Sequence, residues 1–113
     1  MAKTIVQVGE LDDYVDMLRK AKPDNIFFVV EVGQQQNPET KAIHLIGICK
    51  LTAVKDETLY TQVSNVGNLV VENKETDMKT FGDQVKEATE VIIKKLQRDC
   101  PGSRLWKGAI GLM

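Results

Sequence analysis

The side chains that could carry catalysis or bind a metal are few in this sequence. His44 is the only histidine, and Cys49 and Cys100 are the only cysteines. Because residues five apart on a regular strand point to opposite faces, His44 and Cys49 cannot form the nucleophile–base pair of a hydrolase. These three residues also fall short of the four ligands of a zinc site. We therefore expect no metal and no cofactor and assign no catalytic residue; the remaining enzymatic hypothesis places Glu31, His44 or Tyr60 in one pocket.

An acidic pattern lies between the first predicted helix and the strands that follow it. Pro23-Asp24 and then Glu31-Val32-Gly33 resemble the acidic pair of metal-dependent nucleases, which place carboxylates and a lysine on neighbouring strands. Gly33 stands where the lysine of that pattern belongs, and the spacing from Asp24 to Glu31 is short. Without the lysine, the usual charge stabiliser of two-metal cleavage is missing. The resemblance thus implies a degenerate nuclease-like fold, which we keep as an alternative.

A second alternative is association with nucleic acid. The net charge of −1 lacks the basic excess that duplex-binding domains usually show. A local cluster of cations nevertheless lies near the C-terminus, with Asp99 as its only acid: Lys94, Lys95, Arg98, Arg104 and Lys107. Such a cluster is typical of the positive end of a helix, favoured by the helix dipole, and it is also a candidate anion or nucleic-acid site. The α-β-β-β-α order looks like that of double-stranded RNA-binding domains, but the acids of residues 73–79 cancel the lysines there.

The elements that must position these residues begin with a short strand and a helix. Weak alternation over Ile5 to Val8 indicates a strand. Apolar residues spaced by three and four predict a helix from Glu10 to Ala21, with acids in its first turns and cations at its end. Pro23 ends this helix.

Three strands are predicted to follow. Asn25 to Val32 is β-branched and aromatic on both faces, which indicates an inner strand, and Gly33 to Thr40 is predicted to be a loop. Lys41 to Val54 and Thr58 to Ser64 alternate and predict a hairpin with a three-residue connection. Residues 65–68 indicate a bulge or turn before β character resumes at residues 69–71.

The strongest pattern is a long helix from Asn73 to Asp99. Its apolar stripe recurs at steps of three and four: Met78, Phe81, Val85, Ala88, Ile92 and Leu96. Val91 and Ile93 widen the stripe, so we expect the helix to be buried on two sides. Gly82 within it costs about 1 kcal/mol relative to alanine, which indicates close approach of a neighbour or a helix–helix contact in a dimer.

The C-terminal tail is apolar and carries the only tryptophan. Leu105, Trp106 and Ile110, with the last two residues, would expose a sizeable apolar patch if left uncovered. Two arrangements stay open: the tail returns as an edge strand or packs on the sheet of its own chain, or it forms an interface anchored by Trp106.

Together these patterns predict one α+β domain over residues 1–113. We expect a three- or four-stranded, mainly antiparallel sheet with two helices packed on one face, in the order (β)-α-β-β-β-α-tail. No apolar window approaches the ~20 residues of a membrane span, and the default location is the cytoplasm. The expected function is a non-catalytic interaction or assembly module, a homo-oligomer or a binder of another protein. Its interface candidates are Trp106, Leu105, Ile110 and Gly82.

Overall fold

The computed structural model describes residues 4–108 and 111–112. Two helices and a mixed β-sheet make up this part of the chain. In chain order the elements are β1 (Thr4–Val8), α1 (Leu11–Ala21), β2 (Asn25–Gln36), β3 (Ile43–Lys55), β4 (Thr58–Val71), α2 (Lys74–Asp99), β5 (Arg104–Lys107) and β6 (Gly111–Leu112).

The sheet has the strand order β1-β4-β3-β2-β5, and β6 pairs separately with β2. The meander β2-β3-β4 is antiparallel, as the sequence predicts, whereas β1 runs parallel to β4 and β5 and β6 run parallel to β2. The α+β class is therefore confirmed, and the smaller, mainly antiparallel sheet is corrected to a larger mixed one. The added strands are short edge pieces whose few residues give little periodicity.

The central hairpins are longer and tighter than the pattern indicates. β2 continues to Gln36, through residues predicted as loop, because each of them pairs with a residue of β3. The β3–β4 connection is a two-residue turn in which Asp56 and Glu57 have φ of 50° and 66°, the positive values that hairpin turns of this length require. The predicted irregularity at residues 65–68 is a β-bulge opposite Gly47 and Ile48.

Both helices cover one face of the sheet, as expected. Residues Tyr14 and Leu18 of α1 are fully buried there, and the Tyr14 hydroxyl donates a hydrogen bond of 2.9 Å to the Tyr60 carbonyl of β4. An ion pair between Asp12 and Lys95 joins the helices. The apolar core under this layer comes from alternate residues of β2, β3 and β4.

The long helix α2 is less widely buried than its apolar arc predicts. Its N-cap Asn73 accepts a hydrogen bond from the Thr76 amide at 3.3 Å, and the helix buries four apolar residues: Phe81, Val85, Ile92 and Leu96. Met78 and Val91 are 49% and 64% exposed. Within the described residues this second side of the helix is left exposed, and its burial against a second copy of the chain stays a prediction. The sheet covers one stripe of α2, and the tail forms β5 beside β2 instead of covering the other.

No helix within residues 4–108 is both long enough and apolar enough to cross a membrane.

Candidate interaction surface

Within the described residues, no helix lies on the other face of the sheet. We call it the open face. Strand register and alternation assign it the following residues: Ile5 and Gln7 of β1; Asn25, Phe27, Val29, Glu31, Gly33 and Gln35 of β2; His44, Ile46, Ile48, Lys50, Thr52 and Val54 of β3; Leu59, Thr61, Val63, Asn65, Asn68 and Val70 of β4; and Arg104 and Trp106 of β5.

Exposed apolar side chains concentrate on this face. Within the part of the chain that the structure describes, eight large apolar residues are exposed, and only Met78 and Val91 of α2 lie elsewhere. The six on the open face are Ile5 (68%), Phe27 (45%), Val54 (47%), Val63 (46%), Val70 (51%) and Trp106 (42%). Single exposed apolar residues are ordinary, but six on one continuous sheet surface are typical of a binding site.

An aromatic cluster lies at the β2–β5 edge of the open face. The rings of Phe27 and Trp106 are stacked, with centroids 6.4 Å apart and an interplanar angle of 18°. The Trp106 indole N–H donates a hydrogen bond of 2.9 Å to Oδ1 of Asn25. The Arg104 guanidinium lies over the indole, 4.1 Å from its centroid. These contacts hold the tryptophan in one orientation, as an interface anchor requires.

About half of the residues on the open face are polar, and some of them are paired with one another. Lys50 of β3 forms an ion pair of 3.0 Å with Glu31 of β2. His44 contacts the side-chain oxygen of Asn68 through its Nε2 atom. Arg104 has no carboxylate partner within residues 4–108. The face is therefore close to neutral, with one cation left over at the edge.

The predicted interface candidates do not share a surface. Trp106 is exposed on the open face, but Leu105 points to the opposite side and packs, half-buried, against the core. Gly82 lies on α2 away from the open face, and a Cβ there would meet nothing within 4 Å. The close contact expected at Gly82 is therefore not present within the described residues. Ile110 lies outside the described residues.

The predicted cationic candidates are divided between two elements. Three of them belong to α2: Lys94, Lys95 and Arg98. Lys95 is paired with Asp12, Arg98 is paired with Asp99 at 3.1 Å, and Lys94 is exposed. Arg104 lies on the open face, whereas Lys107, three residues along the same strand, is on the opposite side. The five cations thus do not all lie on one side of the sheet.

The residues of the enzymatic hypotheses are also kept apart. Glu31 and His44 lie on the open face, separated along the strands, and Tyr60 is on the helix-covered face. Asp24 lies at the bend before β2, whereas Glu31 lies six residues beyond the start of that strand, so the two carboxylates are far apart along it. Within residues 4–108, no three His, Cys, Asp or Glu side chains are grouped as metal ligands would be.

The two thiols lie on the covered side and are protonated at neutral pH. Burial raises the pKa of the Cys49 thiol to about 12. Burial, and then the charge of Asp99, also raise the pKa of Cys100. Cys100 borders a cleft of about 430 Å³ where both helices end, together with Arg19, Asp24 and Asp99. Because thiolates and not thiols are nucleophiles, neither cysteine is activated for attack.

The sequence pattern missed the open face because it indicated that β2 is buried on both sides. Phe27 and Val29 have the same chemical character as Ile26 and Phe28, and only the pairing partners distinguish the two sets. A usable signal lies in β3, where Lys50 and Thr52 alternate with Cys49 and Leu51. Polar residues on one side of a strand indicate a face that is not in the core.

Comparison with known proteins adds no family. The chain matches no protein-family model. A search of curated proteins gives no match either.

Proposed function

We propose that this protein is a non-catalytic assembly module that pairs with a second copy of itself through the open face. The observation that carries the proposal is the concentration of exposed apolar residues on that face, anchored by the fixed indole of Trp106. The residues with catalytic potential are dispersed, which supports binding over chemistry.

The size of the open face suits a stable interface. Strands spaced by about 4.8 Å, with a rise of about 3.3 Å per residue, give it a projected area on the order of 700 Å². Stable interfaces bury about 800 Å² per partner, and two sheets pack well at about 10 Å separation. The whole face is thus close in size to one side of such an interface.

Charge favours a second copy over a polyanion. The open face carries two cations, Lys50 and Arg104, and Lys50 is paired with Glu31. A face of this kind would neutralise few phosphates, and affinity for nucleic acid depends largely on such contacts. Two copies with a net charge of −1 each repel one another only weakly. A near-neutral apolar surface is complementary to itself.

Sedimentation analysis over a range of concentrations tests the proposal with two matched variants. Val63→Glu places a charge at the centre of the open face, and Val91→Glu makes the same change at the exposed valine of α2. We expect the wild type and Val91→Glu to dimerise alike. We expect Val63→Glu to remain monomeric, because Lys50, its cross-strand neighbour, is already paired with Glu31, and burying a further uncompensated carboxylate is strongly unfavourable. A wild type that stays monomeric at high concentration contradicts the proposal. Dimers lost only in Val91→Glu would move the interface to α2.

A second candidate is single-stranded nucleic acid, favoured by the exposed Phe27–Trp106 stack with Arg104 beside it. Bases stack on such aromatic surfaces, and a nearby cation binds the phosphate. Quenching of the single tryptophan by an oligonucleotide, weakening with salt and lost in Phe27→Ala, would support this candidate. Unchanged fluorescence at low salt would exclude it.

A further inference from the structure

Arg104 is the residue of the open face whose charge is not balanced. Its guanidinium lies over the indole of Trp106, 4.1 Å from the ring centroid, yet no carboxylate within residues 4–108 pairs with it. A stacked guanidinium keeps its N–H donors at the rim of the plane, available to an acceptor in front of the sheet. This cation is therefore oriented toward whatever covers the open face.

The only carboxylate of the open face is distant from Arg104 in the same chain. Arg104 is paired in register with Asn25, and Glu31 lies six residues farther along β2. At about 3.3 Å per residue, the separation is about 20 Å, which no side chain can span. A cation and an acid that cannot meet within one copy can meet reciprocally between two.

We propose that two copies pack open face to open face, an inference that rests on the self-association proposed above. The two copies are related by a two-fold axis that lies between the two sheets, runs perpendicular to the strands and passes the level of Val29. Residues at equal distances from Val29 then face one another. Glu31 of each copy faces the row of Phe27 and Trp106, where the Arg104 guanidinium of the other copy is held. The contact is isologous and forms the Arg104–Glu31 pair twice.

The surroundings of this axis suit the arrangement. Val29, Lys50 and Val63 are in register and all lie at the level of the axis, so the two Lys50 side chains approach it from opposite copies, each turned along the strands toward Glu31 of its own chain. Asn25 faces Gly33, which has no side chain and leaves room for the arginine stem. Lys50 stays beside Glu31 and contributes a second cation to each carboxylate. Charge complementarity of this kind fixes the orientation of an interface more than it adds affinity.

The experiment is a double-mutant cycle on the dimer dissociation constant, using Arg104→Gln, Glu31→Gln and the double variant. Each single variant is expected to weaken dimerisation about three- to tenfold, because it removes both symmetry-related pairs. The double variant is expected to be no weaker than the weaker single variant. Lys107→Gln, on the opposite side of β5, is the control and should leave the constant unchanged.

The outcomes distinguish a failure of the Arg104–Glu31 pair from a failure of self-association through the open face. A monomeric wild type overturns both. A dimer in which Arg104→Gln has no effect, or in which the two single effects multiply in the double variant, retains self-association and overturns the Arg104–Glu31 pair.

Cross-linking supplies an independent readout of the axis. Val29→Cys should be joined to its copy by a short bismaleimide linker, because the two introduced thiols face one another across sheets about 10 Å apart, a separation too wide for a direct disulfide. Val54→Cys, on the same face, should not be joined, since the two-fold axis places its copies more than about 20 Å apart, beyond the reach of that linker. Equal cross-linking of the two variants would contradict the placement of the axis at Val29.

Discussion

The two faces of the sheet are built from the same strands and often from the same residue types, yet they have opposite roles. On β3, Cys49, Leu51 and Ala53 are fully buried under the helices, while Val54 of the open face is 47% exposed. Both faces contain valine, isoleucine and phenylalanine. What differs is what covers them: α1 and α2 occupy one face, and no element within the described residues occupies the other.

This difference separates stability from recognition. We call the face under α1 and α2 the covered face. Burial of apolar area there provides most of the stabilisation of the monomer, at roughly 25 cal/mol per Å². The exposed apolar residues of the open face remain in contact with water. The free energy of removing them from water is therefore gained only when the face associates with a partner. Substitutions on the covered face should therefore unfold the chain, and substitutions on the open face should change how it associates.

The largest effect is expected from a cavity on the covered face. Leu51 is fully buried in the middle of β3, and Leu51→Ala should lower the free energy of unfolding by about 3–4 kcal/mol. Chemical denaturation monitored by circular dichroism gives this value. Val54→Ala on the same strand, facing the other way, should cost less than about 1 kcal/mol. Similar losses for the two variants would mean that the open face is part of the monomer core.

Two glycines test how closely α2 approaches the covered face. A Cβ at Gly67 would lie 2.8 Å from Cγ2 of Val85 and 2.9 Å from Cε1 of Phe81. Gly67→Ala should therefore destabilise the fold by about 1–3 kcal/mol through overpacking. Gly82→Ala should stabilise it by about 0.5–1 kcal/mol, since a Cβ there meets nothing within 4 Å and alanine favours the helix. Thermal denaturation of the two variants should show shifts of opposite sign, and shifts of the same sign would contradict the described packing.

The covered face should also determine how stability depends on alkaline pH. Burial raises the pKa of the Cys49 thiol to about 12 in the folded state, whereas an unfolded thiol ionises near its ordinary value of about 8.5. Stability is fully present below that value. Above it, only the unfolded state loses the proton, so the free energy of unfolding falls by up to about 1.4 kcal/mol per pH unit.

Denaturation at pH 7 to 10.5 measures this slope. Cys49→Ala should reduce it, while the Cys100 thiol and the Tyr14 phenol, whose pKa values burial also raises, retain a smaller dependence. An unchanged slope in Cys49→Ala would assign the effect to other groups.

Local patterns were sufficient for the helices and the central meander. Pro23 and Asn73 mark helix boundaries chemically, and the alternation of β3 determines its two faces. The parallel edge strands could not be predicted, because β1 and β5 span five and four residues and their partners, β4 and β2, are far away in the sequence. Such pairings depend on tertiary packing, which short-range periodicity does not report.

Of the predicted residues that the structure describes, Trp106 from the interface candidates and Arg104 from the cationic candidates lie together on the open face. The residue type of Trp106, in an apolar tail, identified it as an anchor. Its neighbours Asn25 and Phe27 are about 80 residues away in the chain and contact it only because β2 pairs with β5. The cations of α2 were predicted as an anion or nucleic-acid site because they are close together in the sequence. In the fold, two of them are paired with Asp12 and Asp99.

The smallest effect provides the most direct comparison of the two faces, because one substitution can be made on both sides of β4. Val63 is 46% exposed on the open face and Val66 is 4% exposed on the covered face. Valine-to-threonine keeps the shape and replaces a methyl group with a hydroxyl. Val66→Thr should cost about 1–3 kcal/mol, since the hydroxyl is buried among apolar groups. Val63→Thr should change monomer stability by less than about 0.5 kcal/mol, because water already reaches the side chain. Denaturation at concentrations low enough to keep the chain monomeric measures both values. If Val63→Thr proved as costly as Val66→Thr under those conditions, the open face would be covered within one copy, and self-association through it would be excluded.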